Sequence, residues 1–278
     1  MIRIFIVHYI VFFFLTLSIS FASQPRIISL SPPITEELYL LGMRNNIVAN
    51  TIYCTRPEDA KTKEKVGSVI NVNLERVIRL KPDIVFTSPL MDRRLVQKME
   101  KLGITVYTFP HPKNFEEICH RFLRVSEIFG KKEMASEMVL HFTGRYKTLK
   151  ENIPPGAKKH RVFIQLGKNP LFTATKDSIL NSFIEDAGGE NIAKDTKTGL
   201  FSKEELFIKD PNYIIIVSMG IEGEQQIKEW KKNKELKAVR EGNIYLVDSH
   251  TYCSPTIKSY LEGVETLRDI FLGRRKKQ

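Results

Sequence analysis

The stretch KKEMASEMVLHFTGRYKTLKEN, residues 131–152, sets the strongest limit on how this chain folds. Met134, Met138, Phe142, Tyr146, Leu149 and Ile153 recur every three or four positions, the period of one helix face, so the spacing predicts a single long helix. Gly130 stops the element before it. Ile153-Pro154-Pro155-Gly156 ends it, since proline has no amide to give and glycine permits a left-handed exit. At ~1.5 Å per residue such a helix is roughly 33 Å long, the diameter of a small domain. On either side lies a segment of about a hundred residues with alternating strand and helix signals, enough for a domain apiece. The helix is therefore expected to be a strut between two lobes. A surface helix within one domain is the alternative that periodicity alone leaves open.

Before the strut, residues 26–30, 47–49, 83–87 and 104–107 read as strands, and 71–80 and 91–102 as amphipathic helices. Ser31-Pro32-Pro33, followed by Glu36 and Glu37, starts a helix that ends at Gly42. After the strut, residues 161–165, 213–217 and 243–247 read as strands, and 177–186 and 256–271 as helices, with another helix capped by Ser202. Residues 169–174 read as a loop, 187–192 as a glycine turn, and 248–255 as a polar and aromatic loop. The predicted fold class is α/β: two Rossmann-like lobes with mainly parallel sheets, joined by a long backbone helix. The expected divisions are a signal peptide over 1–22, an N-terminal lobe over 23–130, the backbone helix over 131–153 and a C-terminal lobe over 154–278. Ligands of such sheets collect beyond the carboxyl ends of the strands, which points to a cleft between the lobes.

Met1-Ile2-Arg3, the apolar run 4–17 and Ser20-Phe21-Ala22 form a secretory signal, with cleavage expected after Ala22 and a periplasmic destination. The apolar run falls short of the ~20 residues of a membrane-spanning helix. No cysteine follows the cleavage point closely enough for a lipid anchor. Cys54, Cys119 and Cys253 are odd in number, so they define no disulfide framework, and their spacing matches no zinc pattern. With 42% hydrophobic and 27% charged residues the chain folds rather than remaining disordered. The net charge of +11 is dispersed and accompanies no nucleic-acid motif, so no nucleic-acid partner is expected. There is no G-x-G-x-x-G, G-K-[ST], G-x-S-x-G or H-E-x-x-H, which leaves nucleotide chemistry and hydrolysis without support.

Arg26-Ile27-x-x-Leu30-Ser31-Pro32, Tyr53-x-x-x-Pro57, the NLER run at 73–76, the LKPD run at 80–83 and RVFIQLGKNPLFTATKDSILNSFIEDAGGENIAKDT at 161–196 together resemble the helical-backbone (class III) substrate-binding proteins of ABC importers, and within them the vitamin B12-binding branch. The resemblance runs from Arg26 to near the C-terminus. It implies binding without catalysis and without a cofactor: a monomer that holds a corrinoid, cobalamin or a precursor, between rigid lobes and delivers it to an inner-membrane ABC permease. Carried over, Tyr53 matches the aromatic contact of the first lobe and Phe172 that of the second. Asp248, Ser249, His250, Thr251 and Tyr252 match the segment that meets the ligand's periphery. Glu75 and Glu204 match surface carboxylates, one per lobe, that dock onto permease arginines. Val69, Ser88 and Thr198 stand where that branch has tryptophans. Because Tyr53, His250 and Tyr252 are of the types that ligate haem iron, haem or a ferric siderophore remains the alternative ligand. A helical strut also implies a small opening of the cleft rather than a large closure.

Overall fold

Strand β1 (Ile27–Ser29) is only three residues long and wholly buried, as befits a strand covered on both faces. In this computed structural model, which describes residues 24–154, 156–218 and 222–275, β1 lies at the centre of the first sheet. The segment read as a signal peptide, with its cleavage point, lies outside the described residues. Around β1 the order is β3 (Glu64–Lys65), β2 (Ile47–Asn50), β1, β4 (Ile84–Thr87) and β5 (Thr105–Thr108), all parallel. Four helices connect and flank these strands: α1 (Pro32–Leu40), α2 (Leu74–Arg79), α3 (Arg93–Lys101) and α4 (Phe115–Ile128). The side chains of Asn73, Asp92 and Asn114 cap α2, α3 and α4 by accepting backbone N–H groups of the first turn, which fixes where each begins.

The predicted strut is α5 (Lys132–Glu151), 20 residues long. Its Met138 and Val139 pack on the core of the first lobe, and its Phe142, Tyr146 and Leu149 on that of the second. Beyond it, the second sheet is built on β6 (His160–Gly167). One edge of β6 pairs with β9 (Tyr213–Ser218), and β9 with β10 (Ile244–Asp248), all parallel. The other edge carries β7 (Phe172–Thr173), antiparallel, and β8 (Gly189–Asn191), parallel. Helices α6 (Ile179–Asp186), α7 (Lys203–Lys209), α8 (Glu222–Trp230), α9 (Lys237–Arg240), α10 (Ser249–Cys253) and α11 (Ile257–Phe271) complete this half. The first sheet draws on residues 27–108 and the second on 160–248, so the chain passes from one to the other once, through α5.

Three local expectations change. The helix expected from residue 71 starts at Leu74, because Gly67, at φ +102, folds back in an antiparallel bridge to Val72; a Cβ there would lie 2.2 Å from the Asn71 carbonyl oxygen. The expected glycine turn at 187–192 contains strand β8: Gly189 lets the backbone approach Ile184 and Val162, whose Cγ2 atoms would lie 2.8 and 3.1 Å from an added Cβ. The expected loop at 169–174 holds β7, bonded to β6.

His160 opens β6, wedged edge-on to Tyr213 at 5.3 Å and beside Phe271 at 5.2 Å. Burial lowers its pKa below the ordinary value of 6.5, so the folded state binds its proton less readily than the unfolded one. The stability tied to a neutral His160 is therefore present above about pH 6.5 and lost as pH falls through the folded pKa. His160→Phe keeps the aromatic packing and removes the titration. The fall in melting temperature between roughly pH 7 and pH 5 is expected to be smaller in the variant than in the parent chain; equal slopes would contradict the assignment.

Candidate functional site

The carboxyl ends of the two sheets face each other. Thr55, in the loop after β2, has its hydroxyl 3.1 Å from His250 Nε2, in the segment after β10. Lys113, after β5, lies 3.3 Å from Asp177, after β7. The loops between these contacts form the candidate site, at the place where open parallel sheets receive ligands.

On the first lobe the loop 51–57 is drawn inward at Cys54, which is fully buried with its sulfur 3.2 Å from the hydroxyls of Thr35 and Thr51. Lys65 adds a second tie, donating to Asn50 Oδ1 at 2.6 Å and to the Ala60 carbonyl at 2.9 Å. With Cys54 turned in, its neighbours are turned out: Tyr53 is 49% exposed and Ile52 53%. Nearby, Ile70 on the 67–72 turn and Leu90 after β4 are also exposed. On the second lobe Thr173 is held inward, its hydroxyl donating to the Ile164 carbonyl, while Phe172 is 39% exposed and bridges to exposed Leu200. The Phe172 ring lies over Gly199, where a Cβ would come within 2.8 Å of it. Each lobe thus offers an apolar platform with one aromatic side chain.

Where the loop after β2 meets the segment after β10, a polar crossing centred on Arg56 joins the lobes. Its guanidinium sits 3.6 Å from Asp248, 4.0 Å from Glu36 and 3.4 Å from the Thr251 hydroxyl, to which it donates, and its Nε is buried with no hydrogen-bond partner among the described residues. Burial raises the Glu36 carboxyl, with Arg56 opposing it. Burial lowers His250, and the Arg56 charge lowers it further. For Asp248 burial works upward, but the bonds it accepts from Thr251 and His250 prevail and hold its carboxyl low.

The segment after β10 is not the expected loop. Asp248 accepts the backbone N–H groups of His250 and Thr251 and so caps α10, which turns every third side chain inward. Ser249 and Tyr252 are buried, at 7% and 2% exposure. The Tyr252 hydroxyl donates to the Gly263 carbonyl at 2.8 Å and its ring packs on Phe183. This corrects the expectation for both residues: they are core positions, and Tyr252 has no free phenol to offer a ligand. Asp248, His250 and Thr251 face the first lobe. Of the positions that carry smaller residues, Ser88 is buried at 7%, Val69 is half-buried, and Thr198 accepts the Leu200 amide. Arg56, Ile52, Ile70, Leu90 and Leu200 were not singled out from sequence. A lone arginine and scattered aliphatics in loops carry no periodic signal; the one local signal for Arg56 is its place just before Pro57 in the same loop as Tyr53.

Glu75 and Glu204 lie on opposite lobes in matching settings. Each is the second residue of a helix, α2 capped by Asn73 and α7 by Ser202. Both helices lead into the start of a parallel strand, β4 and β9, so their own first turns lie toward the sheets' carboxyl ends. Both carboxylates are exposed and make no hydrogen bond or ion pair among the described residues. All three cysteines are free thiols.

The sequence matches the periplasmic binding protein family over residues 27–251. It is 29% identical over 254 residues, 88% of this chain and 79% of the relative, to a substrate-binding lipoprotein of an ABC transporter from Bacillus subtilis. The solved vitamin B12-binding protein of Vibrio cholerae is 25% identical, with a TM-score of 0.76 over 91% of this chain and 98% of that one. A periplasmic haem-binding protein of Pseudomonas aeruginosa shares the fold, at 20% identity, with a TM-score of 0.81 over 91% of this chain and 95% of that one.

Proposed function

The chain belongs to the periplasmic binding protein family, and from that premise we propose that it captures a corrinoid, cobalamin or a precursor, between its lobes and presents it to an inner-membrane ABC permease. The observation that carries the ligand class is the pair of apolar platforms, Tyr53 with Ile52 and Phe172 with Leu200, together with the polar crossing of Arg56, Asp248, His250 and Thr251. Aromatic and aliphatic faces suit a broad macrocycle, and polar groups between them suit its amide-bearing rim. The similarity to the vitamin B12-binding protein of Vibrio cholerae supports the same class. In this reading the chain is made with a signal peptide that ends at Ala22 and works outside the cytoplasm as a monomer.

The site's first lobe also supports a second reading. Tyr53 is an exposed phenol at the cleft, the type of group that ligates ferric haem. With Tyr252 in the core, Tyr53 is left as the tyrosine for that role. Titrating the purified chain, from residue 23 onward, with cyanocobalamin, cobinamide and haemin separates the two. One corrinoid per chain with submicromolar affinity is the expected result, weakened at least tenfold in Tyr53→Ala/Phe172→Ala because two aromatic faces are lost. Haemin binding alone, with a charge-transfer band that vanishes in Tyr53→Phe, would replace the ligand and keep the family.

A further inference from the structure

The two free carboxylates are not alone on their helices. Ile78 follows Glu75 by three positions on α2 and is 43% exposed; Ile208 follows Glu204 by four on α7 and, at 84%, is the most exposed large hydrophobic residue described. Residues three and four apart on a helix stand side by side, roughly 5–6 Å between Cβ atoms. Each lobe therefore shows outward the same pair, an unpaired carboxylate beside a bare isoleucine. Of the other charged residues of these helices, Arg79 holds Glu64 at 2.9 Å, Glu205 pairs with Lys209 at 3.1 Å and Arg76 donates to the Lys65 carbonyl, while Lys203, the first residue of α7, makes no hydrogen bond or ion pair among the described residues. The acid left free on each helix is the one that has the isoleucine beside it.

Helix electrostatics accounts for an acidic residue near a helix start but not for the isoleucine. Exposing that much aliphatic surface costs solvation free energy, which is recovered only when something covers it. Two unpaired carboxylates call for a cationic partner. We infer that Ile78 and Ile208 are apolar contacts of the permease dock, each seated in a pocket next to the guanidinium that takes Glu75 or Glu204. This rests on the proposed delivery to a permease and on the docking role that the family resemblance implies for those two carboxylates, and adds a component that salt does not screen. Ion pairs at an exposed rim weaken as salt rises, whereas buried aliphatic contacts persist.

The test is binding of the corrinoid-loaded chain to its cognate ABC permease in nanodiscs, at low and high salt. Glu75→Gln/Glu204→Gln is expected to weaken binding tenfold or more at low salt and much less at high salt. Ile78→Ser/Ile208→Ser is expected to weaken it about tenfold at both. Both changes lie on the surface, so melting temperatures and corrinoid affinity should match the parent chain. Parent-like binding by the isoleucine variant, with loss in the carboxylate variant, overturns this inference and leaves the docking reading standing. Parent-like binding by the carboxylate variant overturns both. If instead the parent chain self-associates and the isoleucine variant is monomeric with unchanged permease binding, the patches join two copies of the chain and the inference fails.

Discussion

Replacing Arg121 by methionine is expected to lower the unfolding free energy by about 3–5 kcal/mol near neutral pH. Arg121 on α4 is 6% exposed, and its guanidinium grips the fully buried Glu37 of α1 at 2.6 and 3.1 Å. It also donates to the Pro255 carbonyl of the second lobe at 2.8 Å. One side chain thus ties α1, α4 and the start of α11. Without it, Glu37 is a carboxylate buried with no cation, which costs far more than the pair itself contributes. Burial already raises the Glu37 carboxyl despite the guanidinium beside it, and removing the guanidinium raises it further. A group raised in the folded state favours folding at low pH and loses that contribution as pH rises. The deficit of Arg121→Met should therefore be largest at neutral pH and shrink as the solution is acidified. Glu37→Leu/Arg121→Met, which removes both charges, should recover most of the loss. Urea unfolding of the three chains at two pH values checks this; a single variant as stable as the parent would mean that the pair is not coupled to folding.

The second large effect concerns transport. Glu75→Arg/Glu204→Arg is expected to leave corrinoid affinity unchanged, since both side chains are exposed and bond to no residue of the candidate site, and to abolish uptake by cells that depend on this chain. If these carboxylates dock onto permease cations, reversal turns that attraction into repulsion at both lobes at once, so uptake at the parental rate by the double variant would refute docking through these residues. Each single reversal should give an intermediate rate, because the other lobe keeps its contact.

The elements legible in the sequence were those whose signal is local and periodic. The long α5, the β-branched β9 and the Ser202 cap of α7 lie where apolar spacing and cap residues put them. The elements missed depend on partners far along the chain. Strand β8 reads as a turn because Gly189 serves close packing against β6, a requirement set by Val162 and Ile184 and not by its own neighbours. Strand β7 is two residues long and exists through its bonds to β6. The placement of Tyr252 turns on one cap: once Asp248 starts a helix, a position four residues on points to the core, where a loop would have left it free. Family resemblance named Tyr53 and Phe172, both exposed here, but it could not reveal Arg56, whose importance lies in reaching across to Asp248 and Thr251.

The last helix carries a consequence for manufacture. Tyr260 of α11 packs on Phe115 of α4, Tyr146 of α5 and Phe183 of α6, and shares the buried Asp186 carboxylate with Tyr146 and Lys150. Those rings and that charge belong to segments synthesised long before residue 257. A nascent or truncated chain that ends short of it has both sheets but leaves aromatic surface uncovered and a carboxylate short of one donor. Only a chain that includes α11 closes that seam. Synthesis through α11 is thereby a condition of closing the fold, and copies terminated before it present the greasy, loosely held surface on which chaperones and housekeeping proteases act.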